Sequence, residues 1–306
     1  MKHLIESQQF TKELLQHLFT LAYSFSNGKH SDVLKGKILA TLFYEPSTRT
    51  RLSFEAAMHK LGGSVISTEN AKEFSSAAKG EILEDSIRVI SGYADCIVLR
   101  HHEDGSAQRA ATVSNSSIIN AGDGRGQHPT QSLIDVYTIY KEIGRLNHLT
   151  IAVVGDLANG RTVRSLCYLL GKYEGNTIIF ISPLHLRIGD DIKAYLERHH
   201  TTFLETQDLN AILPQVDVVY MTRIQKERMT AEDYTNAVGM YAITEQNLSL
   251  IKTHARILHP LPHVEEIQLP IAIEQDDPRI AYFRQATNGL YVRMALLSTM
   301  LTETHA

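Results

Sequence analysis

Two arginines and three hydroxyl side chains lie within the five residues Ser47–Arg51, whose sequence is STRTR. An apolar run precedes this segment and a helical pattern follows it, so the segment is predicted to open a helix. A helix N-terminus offers unpaired N–H groups and partial positive charge to an anion, and an arginine adds a two-pronged donor. The segment therefore predicts a phosphate site, with Ser47 also expected to cap the helix. The alternative is that Ser47 caps the helix and the arginines are merely solvated.

A second anion-binding candidate is Gly155–Thr162, which has the spacing of a phosphate-binding P-loop. Arg161 replaces the lysine of that motif, and Asp156 places a carboxylate inside the loop. No apolar strand ends in an obvious magnesium-binding aspartate. The segment thus disfavours nucleotide hydrolysis, and it fits a single carboxylate held by Arg161 and the helix N-terminus.

His128 precedes Pro129 at a junction between a predicted strand and a predicted helix. A lone histidine is as compatible with a structural role as with a functional one, and both interpretations stay open. The fifteen histidines show no HExxH pattern, and Cys96 and Cys167 form no CxxC pair. No metal and no other cofactor is predicted.

Two polar loops carry weaker signals. Gly122–Gly126 lacks the glycine spacing of a dinucleotide site, so a flexible turn is predicted and a nicotinamide cofactor is not. Ser75–Glu81 is a small-residue loop with Lys79 in it. It is compatible with an exposed loop or with a lid that closes over a site.

The elements that must position these residues are short apolar runs of strand length, each followed by a helical pattern. The runs are Ile38–Tyr44, Cys96–Leu99, Ile118–Ile119, Ile151–Val154, Ile178–Ile181, Val218–Met221 and Ile257–Leu258. Their nearly continuous apolarity indicates strands covered on both faces, as in parallel sheets. The alternation of strands and helices predicts a doubly wound, Rossmann-like α/β fold.

The length of 306 residues favours two domains, and interdomain helices are predicted to join them. Helical stripes are predicted over Thr130–Glu142, Thr162–Lys172 and Gly289–Met300. The domains are predicted over residues 1–143 and 144–285, with a C-terminal helix over 286–306 packing back on the first.

The loops after the predicted strands carry at least four arginines and no paired carboxylates. Ligands of open α/β sheets bind beyond the carboxyl ends of the strands, so anionic small-molecule ligands are expected. The formal charge of −4 argues against nucleic acid and anionic membranes as partners. A leader-like N-terminus and an apolar run of 18 residues are both lacking, which predicts a cytoplasmic protein without a membrane span.

These motifs, taken in order along nearly the whole chain, resemble the aspartate/ornithine carbamoyltransferase family. Ser47–Arg51 is similar to its carbamoyl phosphate signature. His128–Gln131 (HPTQ) and His259–Pro262 (HPLP) resemble the aspartate branch, because Thr130 and Pro260 stand where the ornithine branch has cysteine. The chain departs from the family pattern at His263, where arginine is usual, and in a minor way at Ala78.

The resemblance implies transfer of a carbamoyl group from carbamoyl phosphate to the amine of L-aspartate, an early step of pyrimidine biosynthesis. The implied catalytic residues are Arg49, Thr50, Arg100 and His128. The carbamoyl phosphate-binding residues implied are Ser47, Thr48, Arg49, Thr50, Arg100, His128, Gln131, Leu261 and Pro262. The aspartate-binding residues implied are Lys79, Arg161, Arg223 and Gln225.

The resemblance also implies a homotrimer whose sites are shared, with Ser75 and Lys79 supplied by the neighbouring subunit. Separate regulatory chains are compatible with it. Three alternatives stay open: an ornithine-type carbamoyltransferase, a P-loop-like nucleotide-binding protein, and a non-catalytic anion-binding module.

Overall fold

The computed structural model describes residues 1–28, 32–71, 80–224 and 241–302. The chain divides into two compact units. The first unit comprises Met1–Ile134 and the C-terminal stretch from Thr287, and the second comprises Asp135–Ala286.

The first unit is built on a four-stranded parallel sheet with the order β2-β1-β3-β4. Its strands are β1 (Ile38–Phe43), β2 (Ser64–Glu69), β3 (Cys96–His101) and β4 (Ser117–Asp123). Strands β1 and β3 lie inside the sheet, and their aliphatic residues are almost completely buried. The edge strand β2 is mostly exposed or half-buried, as its serines and threonine require.

Three helices of the first unit lie between consecutive strands, one precedes the first strand, and one follows the last strand. They are α1 (Lys12–Ser26), α2 (Thr48–Lys60), α3 (Leu83–Ile90), α4 (Ser106–Val113) and the start of α5 (Pro129–Ile143). Helix α1 begins where the hydroxyl of Thr11 accepts a hydrogen bond from the Leu14 amide at 3.1 Å. Aliphatic side chains of α3, including Ile87, complete an apolar core against β1 and β3.

The second unit is built on a five-stranded parallel sheet with the order β10-β8-β5-β6-β7. In chain order its strands are β5 (Thr150–Val154), β6 (Thr177–Ile181), β7 (Thr202–Thr206), β8 (Val218–Met221) and β10 (Arg256–Leu258). Two short strands, β9 (Ile243–Thr244) and β11 (Ile267–Gln268), pair separately. The central strands β5 and β8 are buried over nearly their whole length.

The helices of the second unit are α6 (Arg161–Leu170), α7 (Asp190–Arg198), α8 (Leu209–Ile212), α9 (Glu245–Leu248), α10 (Ile271–Asp276) and the start of α11 (Tyr282–Thr302). From Thr287 onward α11 belongs to the first unit. There the guanidinium of Arg293 lies 4.9 Å from the centre of the Phe54 ring, a distance typical of a cation–π contact.

The predicted fold class is confirmed: both units are parallel α/β sheets, and all seven predicted strands are present. Four strands were not predicted from the sequence: the edge strands β2 and β7 and the short pair β9 and β11. Along the described ranges, no helix has the length and apolar character that a membrane crossing requires.

Candidate functional site

In the first unit, three candidate segments follow neighbouring strands at the carboxyl edge of the sheet. The register pairs Phe43 with Arg100 and His101 with Asp123. The Tyr44 amide donates a hydrogen bond to the Arg100 carbonyl at 2.9 Å. Because the strands are parallel, the helix start at Thr48, the Arg100 side chain and the loop before α5 belong to one edge.

The segment Ser47–Arg51 opens α2, as predicted. Ser47 occupies the N-cap position, but its side chain makes no capping hydrogen bond, so the prediction that it caps the helix is wrong. Two residues further on, Arg49 is exposed, and the burial of part of its side chain lowers its pKa. A guanidinium stays charged far above neutral pH. The helix start therefore presents a cation, hydroxyls and unpaired N–H groups together.

Arg51, the second arginine of the segment, is used internally. Its guanidinium lies 3.2 Å from Glu55 and 2.9 Å from Glu69, and it donates to the Ser67 hydroxyl at 3.1 Å. Ser67 and the hydroxyl of Thr41 in turn donate to Glu55 at 2.6 and 2.9 Å. This cluster ties α2 to strands β1 and β2, so Arg51 anchors the helix that presents Arg49.

Arg100 is held in a fixed direction at the end of β3. One guanidinium nitrogen donates to the Ala121 carbonyl at 3.2 Å, and another lies 3.5 Å from the Glu45 carboxylate. Its side chain is only 15% exposed. A donor whose direction is set in advance needs little reorganisation when a ligand oxygen arrives.

His128 is buried immediately before α5. Its carbonyl accepts the amides of Gln131 at 2.9 Å and Ser132 at 3.2 Å, which starts the helix. Its ring Nδ1 lies 3.3 Å from the Thr130 hydroxyl. The half-buried side chain of Gln131 therefore begins in the first turn of the helix that His128 opens.

Gly122–Gly126 forms a turn held by two aspartates. Gly124 has φ +46°, and a Cβ there would come within 1.9 Å of Asp104 Oδ1. Asp104 accepts the Arg125 amide at 2.5 Å, and Asp123 accepts the Gln127 amide at 3.0 Å. The turn thus delivers the chain from β4 to His128 and requires glycine for steric reasons.

In the second unit, the candidate loops follow β5, β8 and β10, which are neighbours in the sheet. The register pairs Val154 with Met221 and Tyr220 with Leu258. The loops that begin at Gly155, Thr222 and His259 therefore share the carboxyl edge of the second sheet.

The loop from Gly155 does not have the hydrogen bonding of a phosphate-binding P-loop. Asp156 is fully buried and accepts both the backbone and the side-chain amide of Asn159, at 3.0 and 3.1 Å. The amides of Leu157 and Ala158 donate to the Leu186 carbonyl at 3.1 and 3.0 Å. These amides are directed at protein atoms, so the loop disfavours nucleotide binding.

Arg161 is the half-buried first residue of α6, and Arg223 stands just after β8. Thr222 fixes the geometry between them, because its hydroxyl and amide both donate to the Val154 carbonyl, at 2.8 and 2.9 Å. Gly155 has φ +117°, and a Cβ there would lie 2.2 Å from the Thr222 carbonyl oxygen. This close packing sets the two arginine-bearing loops side by side.

The His259–Pro262 turn after β10 is bound from two directions. The His259 amide donates to Gln285 Oε1 at 2.9 Å. Its ring Nδ1 accepts the Leu261 amide at 2.7 Å, and Nε2 lies 2.8 Å from Glu266. Leu261 has φ +55° and is followed by a cis bond to Pro262.

His263, at the position of the departure from the family pattern, packs inside the second unit. Its Nε2 lies 3.2 Å from Glu274, a carboxylate that also accepts the Tyr282 hydroxyl. The rings of Tyr282 and Phe283 contact it edge-on, with centroids 5.3 and 6.1 Å away. The histidine thus joins the turn to α10 and α11.

Four residues singled out from the sequence lie outside the described residues: Ser75, Ala78, Lys79 and Gln225. The described side chains contain no cluster of three or more histidine, cysteine or carboxylate groups that could hold a metal ion.

Sequence reasoning missed the buried polar residues Asp135, Tyr220, Gln285 and Glu266. Asp135 accepts the Tyr220 hydroxyl at 2.8 Å and the Gln285 amide at 2.7 Å. One signal was available, since Asp135 interrupts an otherwise apolar stretch of α5, and a buried carboxylate needs donors.

Comparison with known proteins adds family evidence. The model of the aspartate/ornithine carbamoyltransferase carbamoyl-P binding domain matches residues 2–141, and the model of the Asp/Orn binding domain matches residues 147–300. A Pisum sativum protein named aspartate carbamoyltransferase 1, chloroplastic, is 54% identical over 97% of this chain and 78% of its own length. An aspartate carbamoyltransferase catalytic subunit of Clostridium novyi is 46% identical, with 98% of both chains covered.

Solved structures of aspartate transcarbamoylases are similar to this chain in fold. The catalytic subunit of M. jannaschii aspartate transcarbamoylase superposes with a TM-score of 0.90 at 46% identity, covering 98% of each chain. Aspartate transcarbamoylase from Trypanosoma cruzi, in complex with carbamoyl phosphate and aspartate, has a TM-score of 0.91 at 35% identity, covering 98% of this chain and 95% of that one.

Proposed function

This chain belongs to the aspartate/ornithine carbamoyltransferase family, and we propose that it carbamoylates the amine of L-aspartate. Carbamoyl phosphate is the donor, and the products are N-carbamoyl-L-aspartate and phosphate. The observation that carries the proposal is near-full-length identity of about half with proteins named aspartate carbamoyltransferase. Aspartate is favoured over ornithine as the acceptor because Thr130 and Pro260 resemble the aspartate branch of the family.

The phosphate of carbamoyl phosphate is assigned to Ser47, Thr48, Arg49, Thr50 and Arg100. The exposed cation of Arg49 at the start of α2 supports this assignment, since an anion gains from both the guanidinium and the helix N-terminus. Arg100, held by the Ala121 carbonyl, adds a second guanidinium on the next strand of the sheet.

The chemical step forms a C–N bond to the aspartate amine and breaks the C–O bond to phosphate. Negative charge builds up on the carbamoyl oxygen as the amine adds, and Thr50, Arg100 and His128 are assigned to stabilise it. Each such donor is worth about 3–4 kcal/mol in comparable sites. Gln131, Leu261 and Pro262 are assigned to orient the carbamoyl amide. The departing phosphate dianion takes the amine proton, so orientation and charge stabilisation supply the catalysis.

The two carboxylates of aspartate are assigned to Arg161 and Arg223, which follow neighbouring strands of the second unit, with Lys79 and Gln225 as further contacts. Two guanidinium groups match the two carboxylates of aspartate. They disfavour ornithine, whose cationic side chain would lie beside them in place of a carboxylate.

A colorimetric phosphate assay with the purified chain tests the function. Carbamoyl phosphate with L-aspartate should release phosphate well above the rate with carbamoyl phosphate alone, and L-ornithine should not replace aspartate. Turnover with ornithine only would assign the chain to the other branch. Phosphate release from a nucleoside triphosphate, with none from carbamoyl phosphate, would replace the proposal with the nucleotide-binding alternative.

The assembly assigned to the chain is a homotrimer in which Ser75 and Lys79 act in the neighbouring site. Arg49→Ala and Lys79→Ala trimers, dissociated and reassociated together, should regain about one working site per hybrid in a closed ring. Hybrids verified by native mass spectrometry that stay inactive would place Lys79 in the site of its own chain. Separate regulatory chains are proposed as further partners of this assembly.

A cytoplasmic location is likewise proposed, although several plant relatives are named chloroplastic.

A further inference from the structure

The hydrogen bond between the ring of His259 and the Leu261 amide determines the tautomer of that ring. The ring is buried, and its Nδ1 accepts the Leu261 amide at 2.7 Å. A nitrogen that accepts an N–H carries no proton of its own. The ring proton is therefore on Nε2, which lies 2.8 Å from Glu266 Oε1.

Glu266 is suited to hold that tautomer. It is 7% exposed, and the same Oε1 also accepts the Val264 amide at 3.1 Å. Burial by itself would raise its pKa, but the close contact with His259 and the backbone hydrogen bonds bring the pKa below its ordinary value. An ionised carboxylate only accepts hydrogen bonds, so it selects the ring nitrogen that carries the proton.

We propose that Glu266 is a positioning residue of the transfer reaction. Its carboxylate, 2.8 Å from Nε2, draws the ring proton to that nitrogen and leaves Nδ1 of His259 as an acceptor, and Nδ1 fixes the Leu261 amide. The Leu261–Pro262 turn is thereby held in the conformation that orients the carbamoyl group. This inference rests on the proposed function, because it takes from it the role of Leu261 and Pro262.

The backbone of His259 is held separately from its ring. Its amide donates to Gln285, whose own amide donates to the buried carboxylate of Asp135 at 2.7 Å. Loss of the Glu266 contact should therefore release the ring and the Leu261 amide while the end of β10 stays in place. An effect on orientation is expected rather than unfolding of the unit.

The test compares Glu266→Ala, Glu266→Gln and Glu265→Ala, the last removing an exposed carboxylate next in the chain. Glu266→Ala should lower kcat about 10–100-fold, the scale of an angstrom-sized misplacement, and leave the Kd for inorganic phosphate unchanged. Glu266→Gln should stay within about fivefold of wild type, because its amide oxygen can accept the Val264 amide and still face the Nε2 proton of His259. Glu265→Ala should match wild type.

Wild-type kcat in Glu266→Ala would overturn the inference, as would an equal loss of phosphate affinity, which indicates general damage. If Glu266→Ala does not fold, Glu266→Gln decides, and a kcat loss of 10-fold or more in that folded variant overturns the inference. Failure of the proposed function looks different, because the wild-type chain would then not carbamoylate aspartate at all.

Discussion

The buried hydroxyl of Tyr220 allows the contribution of one buried hydrogen bond to the stability of the second unit to be measured. It donates to the Asp135 carboxylate at 2.8 Å, and both residues are completely buried. Tyr220→Phe keeps the ring volume and deletes one donor to a buried charge. Hydrogen bonds to charged groups contribute about 1.5–3 kcal/mol, so the free energy of unfolding should fall by about that much.

Scanning calorimetry is the suitable assay because the chain contains no tryptophan and because two units can unfold in separate transitions. The loss corresponds to a Tm decrease of roughly 3–12 °C for a unit of this size. The matched control is Tyr195→Phe, whose hydroxyl donates to the Tyr168 carbonyl at 2.9 Å. That neutral bond should contribute only about 0.5–1.5 kcal/mol. A Tyr220→Phe shift no larger than that of the control would refute the reasoning.

Four further outcomes are expected. Arg49→Ala should remove most turnover without lowering Tm, and near-wild-type activity at unchanged carbamoyl phosphate saturation would contradict the phosphate assignment. His128→Ala should lower kcat more than it raises KM, because its contact strengthens in the transition state; a pure KM effect would make it an ordinary ligand. Arg223→Ala should raise KM for aspartate far more than for carbamoyl phosphate, and equal damage to both would misplace the aspartate site. Stability should fall above about pH 10. Tyrosine in the unfolded chain ionises there, whereas burial and, after it, the charge of Asp135 raise the pKa of Tyr220 in the folded protein. Base titration of Tyr220→Phe should show a shallower fall, and an unchanged slope would contradict it.

The strands that the sequence predicted are those buried on both faces. Residues such as Val218–Met221 are continuously apolar because helices and neighbouring strands cover both sides. Two of the missed strands, Ser64–Glu69 and Thr202–Thr206, lie at sheet edges, and their residues are exposed or half-buried. The edge strands β4 and β10 are largely buried and were predicted, so it is the exposure of the other two that brings their composition close to that of a loop.

The missed edge strand also explains what could not be predicted about the site. The helix start at Ser47–Arg51 was predictable from the polar residues between an apolar run and a helical pattern. Which of its two arginines is structural was not predictable, because Arg51 is anchored by Ser67 and Glu69 of the unpredicted strand β2. Capping by Ser47 was expected from its residue type alone, yet its side chain makes no such bond.

Internal carboxylate partners mark several arginines as structural cations, which net charge cannot show. Glu142 receives both Arg256, at 2.9 Å, and Arg284, at 2.7 Å. Arg51 likewise has two carboxylates, whereas Arg49 forms no ion pair with any residue that the structure describes. A guanidinium placed at a helix N-terminus without an internal counter-charge is neutralised best by an incoming anion. A formal charge of −4 for the whole chain is therefore compatible with a phosphate site, because carboxylates such as Glu142 and Glu69 neutralise other arginines.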